Sequence, residues 1–304
     1  MKPVVFYHDN CADGFGAAYA AWCRFKDDAE YISIQYNRFL YNSENATLSI
    51  GRNTVALRGR RVYVLDFSFP RPQMEHIMSV ANGVVWLDHH KTAFEIWCGK
   101  APDSKFQRYE ENSAEFDIVL DNNKSGALLS WEWFFPREAP PKLLLHIDDY
   151  DRWQFKISGT KEINKAIWAA TPWSFADWES FASDEKYDSL KDEGFAILRA
   201  HEANVRAVVS GATRQCRVEC FDTLVGLAAN CPPHLQSDVG HELATRSGTF
   251  GLLWYINKDG KCLCSLRSNG DYDVSAIAKF FGGGGHKNAA GFETSIENVL
   301  RWIK

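Results

Sequence analysis

The spacing of apolar positions changes along the chain, and each change marks an element. Short continuous apolar runs alternate with stretches whose apolar residues recur at the three-to-four spacing of a helix, the signatures of buried strands and of amphipathic helices. Val4-Val5-Phe6-Tyr7 predicts a strand over 3–8, and the small residues Gly14, Gly16, Ala17, Ala18 and Ala20 predict a helix over 13–26 that can lie close to a sheet. Further strands are predicted around 31–36, 61–66, 84–88 and 116–120, with helices near 70–81, 91–98 and 124–135 between them. Pro136, Pro140 and Pro141 close one helix and open the next, which carries Leu143-Leu144-Leu145-His146-Ile147 towards Asp148-Asp149-Tyr150-Asp151. Strand-helix alternation of this kind predicts an α/β architecture, a mostly parallel sheet with helices on both faces.

From about 156 to 212 the pattern is helical, with Trp168, Trp173 and Trp178 as packing residues and 187–210 as one long connecting helix. Beyond Gly211 the texture shifts. Strand-like runs at 214–220, 223–229, 249–257 and 261–267 mix with helices at 235–246, 273–281 and 295–303, which predicts a smaller α+β domain. The expected division is a domain over 1–185, a helical linker over 186–212 and a C-terminal domain over 213–304.

With 304 residues, 45% of them apolar, the chain has material for two such domains. A net charge of −5 argues against a nucleic-acid coat or a membrane-surface protein, which would carry a basic face. Residues 213–304 carry 10 Lys/Arg against 9 Asp/Glu, so the acid excess lies upstream, where a cation site would want it. The cysteines at 11, 23, 98, 216, 220, 231, 262 and 264 form no CxxC pair. Met1-Lys2-Pro3 leads into a strand without a leader pattern, and no apolar run approaches the ~20 residues of a membrane span. A reduced, cytoplasmic protein with no membrane partner is expected.

The candidate chemistry lies at strand ends. The first strand ends in His8, with Asp13 five residues later; Arg61-Val62-Tyr63-Val64-Leu65 runs into Asp66; Val84-Val85-Trp86-Leu87 runs into Asp88-His89-His90. In an open α/β sheet the crevice lies at the C-terminal ends of the strands, so these residues and Asp149 can converge. Carboxylates and imidazoles suit a hard or borderline divalent ion, and a two-metal site needs a carboxylate shared between ions ~3.5–4 Å apart. Taken singly, an Asp at a strand end is usually a cap or turn residue and a His a satisfied side chain; their joint appearance after separate strands favours a site. In the C-terminal part, Phe280-Phe281 precedes Gly282-Gly283-Gly284-Gly285-His286-Lys287-Asn288-Ala289-Ala290-Gly291. These glycines can be a helix C-cap or a backbone nest for an anion. Arg267, upstream at a strand end, can grip a phosphate bidentately.

The order His8…Asp13-Gly14, Leu65-Asp66, Leu87-Asp88-His89-His90, Asp149-Tyr150-Asp151-Arg152-Trp153 and the glycine-His segment resembles the DHH phosphoesterase family with its C-terminal DHH-associated domain. The two-domain length is most similar to the nano-RNase and bisphosphonucleotide phosphatase branch. The resemblance implies Mn²⁺, as two ions, with Mg²⁺ as the alternative. It implies that Asp66 bridges both, that His8 holds one, and that Asp13, His89 and Asp149 complete the other. Asp66, Asp88, His89 and His90 would form the catalytic set, Asp88 orienting an imidazole and His90 facing the scissile phosphate. Arg267, Gly283, Gly284, Gly285 and His286 would grip a terminal phosphate or nucleotide. The chain departs from the family at Cys11, which stands where many members have an aspartate. Cys11 as a spectator, Asp9 as a substitute and Cys11 as a ligand are all compatible with the sequence.

The implied function is metal-dependent hydrolysis of phosphodiester or phosphomonoester bonds in nucleotides or short single-stranded oligonucleotides, held between an N-terminal metal domain and a C-terminal clamp. Two alternatives stand beside it: a hydrolase of inorganic polyphosphate or pyrophosphate, and a catalytically weak nucleotide-binding regulatory protein.

Overall fold

Parallel pairing begins at the first strand and sets the architecture of the N-terminal half. In the computed structural model, which describes residues 1–36, 38–100, 108–113, 115–220 and 222–303, the chain divides into two units, Met1–Ile197 and Leu198–Lys304. The first unit runs through β1 (Val4–His8), α1 (Ala12–Phe25), β2 (Glu30–Ile34), the short strands β3 (Leu40–Asn42), β4 (Thr47–Ile50) and β5 (Asn53–Ala56), then β6 (Arg61–Leu65), α2 (Arg71–Val80), β7 (Gly83–Asp88) and α3 (Lys91–Cys98). It continues through β8 (Arg108–Asn112), β9 (Phe116–Asp121), α4 (Gly126–Phe134), α5 (Lys142–Asp151), α6 (Thr160–Ala169), α7 (Phe175–Phe181) and α8 (Asp184–Gly211), the last crossing into the second unit.

The main sheet has the order β2-β1-β6-β7-β9-β8, parallel throughout except for β8 on β9. Successive residues of a strand face opposite sides, and the continuous apolar runs of β6 and β7 are accordingly buried on both. Val5, Tyr63, Leu65, Val85 and Leu87 pack on one face with α1, α4 and α5. Val4, Phe6, Val62, Val64 and Trp86 pack on the other with Met74, Ile77 and Phe94. Burying each such aliphatic or aromatic side chain contributes about 1.5–3 kcal/mol.

Two of the tryptophans after residue 156, Trp173 and Trp178, pack against α1, whereas Trp168, also expected to pack, is 40% exposed. Phe15 of α1 lies 5.6 Å from Trp173 and 5.0 Å from Trp178 between ring centroids, and Trp22 stacks on Phe175 at 5.4 Å. This aromatic layer packs on α1, and the small Gly16 lets α1 approach Ala127 of α4, Leu144 of α5 and Trp178 rather than the sheet. Two features lie outside the expected pattern. β3, β4 and β5 form a separate antiparallel sheet, in which Tyr41, Leu48 and Val55 align across the strands. β8 adds an antiparallel edge. Strands of three or four residues with at most one buried position each are too short to show a period.

The second unit contains β10 (Arg214–Glu219), β11 (Thr223–Asn230), α9 (Gln236–Ser247), β12 (Phe250–Ile256), β13 (Cys262–Ser268), α10 (Val274–Phe280), β14 (Gly284–His286), β15 (Ala289–Thr294) and α11 (Ile296–Trp302). Its sheet has the order β10-β11-β12-β13-β15-β14. Phe250, Leu252, Leu266, Ile277, Phe292 and Trp302 form its core. The glycine run divides its work. Gly282, at φ 79°, ends α10, and Gly284–His286 pair with β15 as an edge strand. At Gly285 the φ of 140° and an approach that would put a Cβ 2.5 Å from the Ala289 carbonyl oxygen both require glycine. Among the described residues no helix is long and apolar enough to cross a membrane.

Candidate metal centre

β1, β6 and β7 are neighbours in the sheet and point the same way, so their C-terminal ends present His8, Asp66 and Asp88-His89-His90 side by side. Asp66 follows β6 directly, its N–H donating to the Leu87 carbonyl at 2.9 Å, in a left-handed conformation with φ 54°. Asp and Asn tolerate that region better than other non-glycine residues. The Asp66 carboxylate, 1% exposed, lies between imidazoles: Oδ1 is 3.1 Å from His89 Nε2 and 3.7 Å from His90 Nδ1, and Oδ2 is 3.7 Å from His8 Nδ1. Neither oxygen accepts a hydrogen bond, and His8 Nδ1 makes none. Buried polar atoms are rarely left so; a cation is what this arrangement suits.

Asp13, in the first turn of α1, is held by the N-terminus of α4. Its Oδ2 accepts from the Gly126 N–H at 2.7 Å and its Oδ1 from the Ala127 N–H at 2.8 Å, a carboxylate at the positive end of a helix. The same Oδ2 lies 3.4 Å from His89 Nε2. Ser125 caps α4, accepting from the Leu128 N–H at 3.3 Å, and its own N–H donates to Asp148 Oδ1 at 2.7 Å. Asp88 organises the turn after β7: Oδ1 accepts from the N–H groups of His89 (2.7 Å) and His90 (3.2 Å) and contacts His90 Nδ1 at 2.7 Å, while Oδ2 accepts from Ser68.

The acids ending α5 diverge, and here the sequence reading needs correction. Asp149 is not brought to the cluster. Its Oδ1 accepts from the Lys156 N–H at 2.8 Å, and its Oδ2 from the Ile157 N–H at 3.0 Å and the Thr160 hydroxyl at 2.7 Å, so it braces the loop into α6. Asp151 takes the position instead, its Oδ2 3.6 Å from His89 Nε2. The signal was helical spacing. Leu144, Ile147, Asp148 and Asp151 share one stripe of α5, and Asp149 lies nearly half a turn from Asp151. Cys11 also joins the cluster, whereas Asp9 is turned to Gln35, whose Nε2 donates to it at 2.9 Å.

Among the described residues, three groups of side chains have ligand atoms within 4.8 Å of one another: His8, Cys11 and Asp66; Asp66, His89 and His90; Asp13, His89 and Asp151. Asp66 and His89 each belong to two of them. The electrostatics follow from this crowding. Burial, reinforced by the neighbouring Asp66 and Asp151 carboxylates, pushes Asp13 well above the usual carboxylate range, and Asp151 is raised by burial and by Asp66. Burial would also raise Asp66, but the surrounding imidazoles outweigh it and hold Asp66 low. His89 is raised well above an ordinary imidazole because Asp66, Asp151 and Asp13 overcome its burial, and His90 is raised chiefly by Asp88. Burial and the carboxylates of Asp66, Asp151 and Asp13 push the Cys11 thiol up.

In the second unit, Arg267 and His286 both pair with Ala289, from β13 and β14 on either side of β15. They therefore share a face, roughly 10 Å apart. The Arg267 guanidinium is ordered by Ser265 Oγ (2.7 Å), the Leu266 carbonyl (2.9 Å) and Ser237 Oγ (3.1 Å). Gly283 precedes β14, and Gly284 and Gly285 lie within it.

Residues 239–303 match the DHHA1 domain family. Over 316 residues the chain is 32% identical to the uncharacterized protein R106 of Acanthamoeba polyphaga mimivirus, covering 99% of this chain and 70% of that protein. Among solved structures it is similar to the pGpG-specific phosphodiesterase PggH of Vibrio cholerae, at 12% identity and a TM-score of 0.50, covering 99% of this chain and 96% of that one. It is also similar to the exonuclease RecJ bound to manganese, at 12% identity and a TM-score of 0.49, over 99% and 88% of the two chains. At 12% identity the likeness to the phosphodiesterase is one of fold. The chain therefore belongs to one family with the mimiviral R106 protein, and its residues 239–303 form a DHHA1 domain.

Proposed function

We propose that this protein is a divalent-metal-dependent phosphoesterase that hydrolyses phosphodiester or phosphomonoester bonds of nucleotides or very short oligonucleotides. The observation that carries this reading is Asp66, a buried carboxylate offering one oxygen towards His8 and the other towards His89, with no hydrogen bond to either. A carboxylate so placed suits two cations, and Asp13, His89 and Asp151 supply oxygen and nitrogen donors appropriate to Mn²⁺ or Mg²⁺. When bound, such ions lower the pKa of water and stabilise the attacking and leaving oxygens of an in-line displacement at phosphorus.

The protein's own groups have separable tasks. The amides at the start of α4 hold Asp13 in place, and Asp88 fixes His90 through Nδ1, so His90 acts through Nε2 on a phosphate oxygen. Arg267 supplies a charged donor and His286 an imidazole for a terminal phosphate, beside the glycines of β14. The DHHA1 domain and the fold shared with a phosphodiesterase support the reaction class.

A hydrolysis screen with Mn²⁺ and Mg²⁺ tests the reading. It compares a labelled dinucleotide, a longer RNA and DNA, a 3′,5′-bisphosphonucleotide and inorganic polyphosphate. Turnover of the dinucleotide or the bisphosphonucleotide is expected. Turnover of polyphosphate alone would move the substrate class, and inertness towards every substrate with either ion would reject a phosphoesterase.

A further inference from the structure

We infer that His8, Cys11 and Asp66 form a sulfur-nitrogen-oxygen site for a borderline divalent ion of the Fe²⁺, Co²⁺, Zn²⁺ class, with the Cys11 thiolate as a ligand. The two ion positions of the centre then differ in metal preference. This deepens the reading of the cluster as a metal centre and rests on it.

The Cys11 thiol, a ring nitrogen of His8 and a carboxylate oxygen of Asp66 lie within 4.8 Å of one another. Cys11 is the N-cap residue of α1, in an extended conformation, and its side chain makes no cap hydrogen bond. Ser, Thr, Asp and Asn are the residues that cap well, so helix capping does not account for a cysteine here. An independent observation points to a ligand: Asp66 is 1% exposed with neither oxygen hydrogen-bonded, and the buried His8 Nδ1 is likewise without a hydrogen bond. Asp9, the acid that precedes Cys11, is held by Gln35.

Thiolate and imidazole donors favour the later, softer ions of the first transition row, whereas carboxylate and water donors suit Mn²⁺ and Mg²⁺. The Cys11 group offers sulfur, nitrogen and oxygen, and the Asp13, His89 and Asp151 group offers only nitrogen and oxygen. On binding, the Cys11 S–H bond breaks, its proton leaves to solvent, and the sulfur lone pair forms the bond to the ion. Two ions of different preference would thus share Asp66.

The test is a Co²⁺ titration of the full-length protein after chelator treatment, followed by near-ultraviolet absorption. The wild type should show a sulfur-to-cobalt charge-transfer band that is lost in Cys11→Ser. In a Zn²⁺ against Mn²⁺ competition, Cys11→Asp should shift the ratio of dissociation constants towards Mn²⁺ by at least tenfold, within the about 10–100-fold range that altered metal surroundings produce. Circular dichroism verifies that each variant is folded, and Cys11→Asp decides if Cys11→Ser is not. Stoichiometric Co²⁺ binding without the band, a band that survives Cys11→Ser, or an unchanged ratio in Cys11→Asp would each overturn the assignment. None of these readouts needs turnover. A Mn²⁺-active enzyme without the band loses the thiolate site and keeps the phosphoesterase reading, and an inactive protein with the band does the reverse.

Discussion

A Cβ built on Gly126 would fall 2.4 Å from the Cβ of Asp66, so the first turn of α4 leaves room there for hydrogen alone. The close approach brings the α4 amides to Asp13 while Asp66 stays between its imidazoles. Gly126→Ala should therefore overpack the centre, at a cost of about 1–3 kcal/mol. It should also lower kcat by roughly 100-fold, the scale expected from a small misplacement of reacting groups. Denaturant unfolding and steady-state kinetics measure the two effects, and wild-type values in both would refute the packing argument.

At Asp66 the choice of substitution matters, because φ is 54°. Asn accepts that conformation and most residues do not. Asp66→Asn should keep the fold, with a melting temperature near wild type, and should lose binding of both ions by calorimetry. If Asp66→Asn retained full metal stoichiometry, the bridging role would be wrong.

Asp149 and Asp151 should separate cleanly. Asp151→Asn removes a carboxylate 3.6 Å from His89 and should weaken Mn²⁺ binding and activity at least tenfold with little change in stability. Asp149→Asn disturbs the bonds from Lys156, Ile157 and Thr160 and should cost about 1–3 kcal/mol while leaving metal stoichiometry unchanged. The reverse pattern would restore Asp149 to the centre.

Arg267 is held by Ser237, Ser265 and the Leu266 carbonyl, which orders its guanidinium before any substrate arrives. Arg267→Ala should raise KM about 10–100-fold, the worth of a hydrogen bond to a charged group, and leave kcat nearly intact. An unchanged KM would count against phosphate recognition by this residue.

His146 gives a pH dependence away from the centre. Thr160 donates its hydroxyl proton to Asp149, so it accepts from His146 Nδ1, and His146 Nε2 in turn accepts from the Tyr187 hydroxyl at 2.7 Å. His146 is buried, and its lowered pKa favours the neutral ring that this pattern requires. Burial lowers its pKa, with Lys191 adding to the effect and Asp149 and Glu162 opposing it. The unfolded chain takes up this proton below about pH 6.5 and the folded one does not. The contribution to stability is therefore full above that pH and is lost as the pH falls, by at most about 1.4 kcal/mol per unit. Comparing wild type with His146→Gln by urea unfolding between pH 7.5 and pH 5.5 should show the steeper acid loss in the wild type. Equal slopes would remove His146 as the cause.

Much of this protein is legible before any coordinates. The runs ending at His8, Asp66 and Asp88 are buried on both faces, so their apolar continuity announces parallel strands, and parallel strands deliver their C-terminal residues to one edge. Helix α1 shows itself through its small residues, and the DHH and glycine-His signatures are visible as words in the chain. The β3–β5 sheet is not, because strands of three or four residues carry no period.

Only the folded chain decides among chemically equal neighbours. Asp148, Asp149 and Asp151 have the same carboxyl group, and the register of α5 sends one to Ser125, one to the α6 loop and one to His89. Cys11, as ambiguous on paper as Asp9, is carried to His8 and Asp66 by the turn that starts α1. Apolar periodicity is local and repeats every few residues, so it survives in one dimension. The direction of a single polar side chain depends on contacts made by residues a hundred positions away, as Asp13 and Gly126 show.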